Sequence, residues 1–152
     1  MRNELSVLKI VHGTSVDGVG LRSSIYFAGC SHHCEGCHNP ESWDINNGKL
    51  MTIEDILLEI EENDFNVTFS GGDPLMQIDG VTQLAKMIKS RLGKTIWCYT
   101  GYTWAEIQEN IKYMKLMQYV DVLVDSPFML SLRDTDLPFR GSSNQRIIEL
   151  AK

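Results

Sequence analysis

The stretch Ser24-Ile25-Tyr26-Phe27-Ala28-Gly29-Cys30-Ser31-His32-His33-Cys34-Glu35-Gly36-Cys37 decides how the rest of the chain reads. Its first half, Ser24–Ala28, has the length and apolar composition of a strand ended by Gly29. Three thiols follow within eight residues, so a strand delivers the chain into a tight cysteine loop. Three thiolates can hold three irons of a [4Fe–4S] cluster, because soft sulfur ligands suit such clusters. The fourth iron then has no cysteine in the loop and stays open to a small molecule. Open metal positions do chemistry, whereas closed ones hold structure. Zinc and disulfides are the competing uses. Structural zinc wants four ligands, usually as two short pairs, so a Cys3His site would have to borrow His32, His33 or His38. Met1-Arg2-Asn3-Glu4 opens no apolar core of a secretory leader. Outside an oxidising compartment, clustered cysteines read as metal-binding or catalytic.

The chain has 152 residues and 43% hydrophobic content, which is one domain, 1–152, with a real core. No apolar run approaches the ~18 residues that cross a membrane. A net charge of −6, from 14 basic and 20 acidic side chains, argues against a nucleic-acid surface, which needs a basic stripe. The acidic run Glu59, Glu61, Glu62 and Asp64 reads as the solvated end of a helix. A compact cytoplasmic domain is expected.

Outward from the cysteine loop, Ser6–Val11 reads as a short edge strand, and Ser15–Arg22 as a turn-rich entry to the first central strand. Thr52 caps a helix whose Ile53, Ile56, Leu57 and Ile60 share one face. Asn66–Ser70 is a strand running into Gly71-Gly72-Asp73-Pro74. A second helix spans roughly 80–92, with Gly93 as its stop. Thr95–Thr100 is a strand, Thr103 and Glu106 cap a third helix that buries Trp104, Ile107 and Ile111, and Val120–Asp125 is a fourth strand. Residues 126–143 read as loop, and Gln145–Leu150 as a last strand. Strands alternating with helices imply βαβ units and a mostly parallel sheet. Four or five strands fall short of the eight that close a barrel of ~250 residues. The expected fold is therefore α/β, an incomplete (partial) TIM-type barrel with an open sheet. Ligands of such folds sit at the carboxyl ends of the strands. Cys30, Gly71–Asp73, Gly101 and Asp125 all follow strands directly.

The C-x3-C-x2-C spacing resembles that by which radical S-adenosylmethionine (SAM) enzymes are recognised. In that superfamily a Gly-Gly-Glu segment at the end of the second core strand meets the amino group of the SAM methionine. Gly71-Gly72-Asp73 matches it, thirty-four residues after Cys37, with an aspartate in place of the glutamate. Gly36 also departs from the general pattern, which often has an aromatic residue before the third cysteine. The segment C-x-x-x-C-x-G-C-H-N followed by Ser42-Trp43 instead resembles the activating proteins of anaerobic ribonucleotide reductase. So do Asp17, Gly18, Gly20 and Arg22 of an Asp-Gly-x-Gly-x-Arg segment, the Val124-Asp125-Ser126-Pro127-Phe128 run and the Gly141–Arg146 tail.

This resemblance implies a radical SAM oxidoreductase, a glycyl-radical-enzyme activase. It implies Cys30, Cys34 and Cys37 as ligands of one [4Fe–4S] cluster. Gly36, Cys37, His38, Ser70, Gly71, Gly72 and Asp73 would lie around SAM. SAM would be cleaved reductively to methionine and a 5′-deoxyadenosyl radical, which takes a hydrogen from a glycine of the partner. The implied partners are the large subunit of anaerobic ribonucleoside-triphosphate reductase and an electron donor such as a flavodoxin-type protein, with neither nucleic acid nor membrane. Two other readings stay open: a compact radical SAM enzyme acting on a small molecule, and a non-catalytic zinc-binding module. Cys98, mid-strand, reads as a small hydrophobe, because a fourth thiolate would close the open iron. Trp43 reads as packing over the cysteine loop. Neither His12 nor Tyr102 has a partner evident in the sequence.

Overall fold

The computed structural model describes residues 4–30 and 44–150. Cys34, Gly36, Cys37, His38 and Trp43 lie outside the described residues. Seven strands form one sheet: β1 (Glu4–Thr14), β2 (Arg22–Phe27), β3 (Lys49–Thr52), β4 (Asn66–Gly71), β5 (Ile96–Tyr99), β6 (Val122–Asp125) and β7 (Arg146–Glu149). Their spatial order is β3-β1-β2-β4-β5-β6-β7. The central ladder β2-β4-β5-β6 is parallel, as βαβ connections require. Antiparallel strands flank it on both sides, with β3 and β1 at one edge and β7 at the other.

Two expectations change here. β1 is not an edge strand, because β3 pairs along it from Glu4 opposite Thr52 to Val7 opposite Lys49. β3 itself has no sequence signal: its four residues are half-buried or exposed and run directly into a helix.

Helix α1 (Ile53–Asn63) starts where expected, with the Thr52 hydroxyl accepting from the Asp55 amide. Its buried positions are Ile53, Ile56, Leu57 and Ile60, the face read from the sequence. Helix α2 (Ile78–Met87) continues as a π-turn over Ile88–Leu92 and stops at left-handed Gly93. Gly80 lets it approach β1, since a Cβ there would lie 2.6 Å from the Leu5 side chain. The third expected helix is two short ones, α3 (Trp104–Gln108) and α4 (Ile111–Met117). The Thr103–Glu106 capping box starts the first. The Asn110 side chain then accepts from the amides of Lys112 and Tyr113 and starts a second helix. Ile111 is consequently 78% exposed rather than buried.

The sheet has two unlike faces. Ile25, Phe27, Val67, Phe69, Ile96, Cys98 and Leu123 alternate along their strands and, among the described residues, join the inward residues of α1, α2, α3 and α4 in one apolar core. Phe27 and Phe69 meet edge to face at its centre, 5.6 Å between centroids. The opposite face carries Arg22, Ser24 and Tyr26, then Thr68 and Ser70, then Trp97 and Tyr99. Parallel sheets covered by helices on both faces read as continuous apolar runs. The polar residues on this second face mark it as a floor for something other than a helix layer.

Cys98 sits fully buried in the core, and burial first, then nearby Asp73, pushes its thiol well up. It stays a protonated hydrophobe, as expected. His12 does have partners: its Nδ1 lies 2.7 Å from the Ser23 hydroxyl and its Nε2 2.8 Å from the Glu59 carboxylate. The trio has the residue types of a hydrolase triad, but Ser23 is wholly buried inside β2 and can meet no substrate. It ties β1 and β2 to α1. Tyr102 packs its ring against Tyr113 at 5.2 Å.

Candidate active site

The site is built where β2 and β4 end together. Their parallel register closes with Phe27 opposite Gly71. Gly71 has φ +102°, and a Cβ on it would lie 2.3 Å from the Phe27 amide nitrogen and 2.4 Å from its carbonyl oxygen. No other residue type fits there without moving backbone. Beyond that point the two chains remain stitched: the Gly72 amide donates to the Phe27 carbonyl at 2.9 Å, and the Asp73 amide to Gly29 at 2.7 Å. Gly29, at φ +100°, turns the chain into Cys30. The cysteine loop thus leaves the sheet from the same ledge that carries the glycine pair.

Cys30, Ser70, Gly71 and Gly72 line one cavity of about 640 Å³ on the polar face. Four of the residues named from the sequence are therefore together. Asp73 is not part of that wall. It is fully buried, and its carboxylate accepts from the Thr100 hydroxyl at 2.9 and 3.0 Å, the Gly101 amide at 2.9 Å and the Leu75 amide at 3.0 Å. It joins the loop after β4 to the loop after β5, so Gly101 meets the cavity beside Gly72. The shorter aspartate fits this bridging geometry, holding the Leu75 and Gly101 amides and the Thr100 hydroxyl.

The cavity floor is polar and was not legible as a site from motifs. Tyr26 donates to the Asp17 carboxylate. Burial first, then this bond and the charge of Asp17, pushes the Tyr26 phenol far above its ordinary value. Tyr99 is raised likewise, by burial and then by Asp17 and Tyr26. Both phenols are neutral donors at any working pH. Period-two alternation sets Tyr26 and Tyr99 on the face opposite Ile25, Phe27 and Cys98.

Asp17 reaches this floor because Arg22 holds its loop. The Arg22 guanidinium is buried and donates to Val19, Val67 and Thr95 carbonyls and to the Thr68 and Thr95 hydroxyls, at 2.7–3.2 Å. Burial lowers its pKa to about 10, so it remains charged. Thr68 in turn donates to the Asp17 carbonyl at 2.8 Å. Gly18, at φ +137°, lies against Arg22 and Trp97, where a Cβ would come within 2.8 Å of Arg22. The Asp-Gly-x-Gly-x-Arg segment is a plug that carries Asp17 up to the cavity.

The far wall comes from residues 126–145. Here the Gly141–Arg146 tail acts as a clasp. Gln145 accepts from the Gly141 and Ser142 amides at 2.9 and 3.2 Å and donates to the Ser126 carbonyl at 3.1 Å. Asn144 donates to the Pro127 carbonyl at 2.8 Å. Arg146 pairs with wholly buried Asp125 at 2.6 and 3.2 Å. Burial alone would raise the Asp125 carboxyl, but Arg146, the Trp104 amide and Ser126 hold it below the usual carboxylate range.

A family model described as a 4Fe-4S single cluster domain matches residues 16–148. The anaerobic ribonucleoside-triphosphate reductase-activating protein of Escherichia coli (strain K12) is 36% identical over 148 residues, covering 89% of this chain and 92% of that protein. The chain belongs to this family of activating proteins. The relative of the same name from Vibrio cholerae is 36% identical over 141 residues, covering 87% of this chain and 90% of its own, and that of bacteriophage T4 is 34% identical over 139 residues, covering 87% and 86%. Among solved structures, QueE from Escherichia coli superposes with a TM-score of 0.51 at 17% identity, over 66% of this chain and 53% of that one. That likeness concerns fold alone, and this chain spans about half of that structure. Of the segments by which the sequence resembles this family, residues 17–22 form the plug under the cavity, residues 124–128 lead from β6 into its far wall, and residues 141–146 form the clasp.

Proposed function

We propose that this protein is a radical-generating activase: it cleaves S-adenosylmethionine and installs a glycyl radical on the large subunit of an anaerobic ribonucleoside-triphosphate reductase. The observation that carries the reading is the ledge at the ends of β2 and β4. It puts Cys30 beside Gly71 and Gly72 on one cavity wall. Cys30, Cys34 and Cys37 would hold one [4Fe–4S] cluster through three thiolates. Cys30 fits as the first ligand: its residue is half-buried at a strand end and faces the cavity, and the remaining cysteine, Cys98, is locked in the apolar core on the other face. When bound, the cluster supplies the electron that splits the sulfonium of SAM into methionine and a 5′-deoxyadenosyl radical.

The chain's own part is placement. Gly71 and Gly72 bring backbone against the methionine end of SAM, with Ser70 beside them and Gly36, Cys37 and His38 contributed by the cysteine loop. Asp73 acts from behind, fixing both glycine-bearing loops. The neutral Tyr26 and Tyr99 face the remainder of the ligand without adding charge. The polar face supports an incomplete TIM-type barrel, 1–152 as a single domain, whose concave side is this cavity. The relatives named as activating proteins favour a protein substrate over a small one, and the 4Fe-4S description favours iron over zinc. A flavodoxin-type donor in the cytoplasm, with no nucleic acid or membrane involved, completes the scheme.

The test is product release. Anaerobically reconstituted, reduced protein should be brown and release methionine and 5′-deoxyadenosine from SAM, faster when the reductase is added. A colourless zinc protein, or release indifferent to the reductase, would refute the reading.

A further inference from the structure

Residues between β6 and β7 form a strap across the polar face. At its root the Arg133–Ser142 bridge and the Gln145 clasp hold it firmly. Its tip is held otherwise. Residues 129–136 are exposed in an unbroken run, and no hydrogen bond among the described residues joins Thr135–Phe139 to the sheet. The bonds the tip does make stay within the strap: the Asp136 and Leu137 amides donate to Asp134, and the Asp134 amide donates to the Gly141 carbonyl. What seats it is Phe139, whose ring meets Trp97 edge-on at 5.4 Å on the floor of the cavity. Leu137 and Phe139 both stand in the cavity wall.

This closed arrangement leaves local demands unmet. Phe139 sits at φ +59°, in the left-handed region that a bulky side chain disfavours. The Tyr99 hydroxyl on the sheet side and Arg140 Nε on the strap side are both buried without a hydrogen-bond partner among the described residues. Unmade buried bonds cost stability, so a different occupant offering carbonyls would satisfy what the strap does not. An extended peptide offers one carbonyl per residue, and a glycine in it permits close approach to the ledge.

We infer that the strap tip, Asp134–Phe139, holds the place of a glycine-bearing peptide segment of the partner protein, and that Phe139 is the plug this segment displaces. The inference rests on the activase reading above and adds where the partner enters and what it must move. A strap closed about nine-tenths of the time would weaken apparent binding tenfold, since affinity scales with the open fraction.

The experiment uses the full chain, reconstituted with its cluster and loaded with SAM, and a synthetic peptide spanning the glycine-bearing segment of the reductase. Phe139→Ala removes the ring that seats the tip and keeps the positive φ that disfavours the closed strap. It should bind the peptide about tenfold more tightly, with the iron content of the unmodified protein. Equal or weaker binding at full iron content would overturn the inference. Hydrogen exchange on the unmodified protein gives an independent reading should the variant fold poorly: the peptide should speed exchange at the amides of half-buried Leu137 and Phe139, and unchanged or slowed exchange there would equally overturn it. Unmodified protein that neither cleaves SAM nor binds the peptide would instead defeat the activase reading.

Discussion

Gly71 and Gly20 both have positive φ, yet they differ in what surrounds them. Nothing lies within 4 Å of a Cβ at Gly20, whereas one at Gly71 would strike the Phe27 backbone. Gly20→Ala should therefore cost only the conformational penalty, about 1 kcal/mol. Gly71→Ala must push β2 and β4 apart and should cost about 3 kcal/mol or more, read from urea denaturation. Asp73→Ala leaves the Leu75 and Gly101 amides and the Thr100 hydroxyl without their acceptor, and about 2–4 kcal/mol of lost stability is expected. Asp125 makes a different signature. Its folded carboxyl titrates below the unfolded value of about 3.9, so its pairing stabilises the fold fully above about pH 4 and is lost as pH falls through the folded value. Arg146→Ala should shrink the stability difference between pH 7 and pH 3. An unchanged difference would mean that Arg146 does not set the Asp125 titration.

At the scale of elements, the strap depends on a clasp that one side chain closes. Gln145→Ala frees the Gly141 and Ser142 amides and the Ser126 carbonyl together. Faster hydrogen exchange across 127–145 is expected, with the core helices unaffected; exchange that rises everywhere would show the clasp to be part of the global fold. The helices with caps were readable from the sequence because the signal is local. Thr52 and the Thr103–Glu106 box each fix a helix start by one side-chain bond. What escaped was set by distant neighbours. β3 exists because β1 offers it an unpaired edge, and the break at Asn110 depends on which of two local bonding patterns the packing selects. The roles of Asp17 and Arg22 were marked by motif, but the bonds of Arg22 to Thr68 and Thr95 lie 46 and 73 residues away in sequence.

For the whole molecule, the division of the sheet into an apolar helix-covered face and a polar cavity face separates Cys30 from Cys98. Cys30 stands on the cavity side and Cys98 on the core side. Cys30→Ala, Cys34→Ala and Cys37→Ala should each abolish stable iron binding, while Cys98→Ala keeps it. Iron lost as fully from Cys98→Ala as from Cys34→Ala would disprove three-thiolate ligation. The cysteine spacing was legible because the three thiols lie within eight residues of one another. The tyrosine floor and the Asp73 bridge were not, because they arise from strand register.

The most direct measurement is electron paramagnetic resonance on the anaerobic reductase after incubation with reduced, reconstituted protein and SAM. The expected spectrum is a persistent glycyl radical on the reductase, lost when the target glycine is replaced by alanine and absent with Cys30→Ala. A reductase that stays radical-free while SAM is cleaved at full rate would contradict the assignment of this protein as its activase.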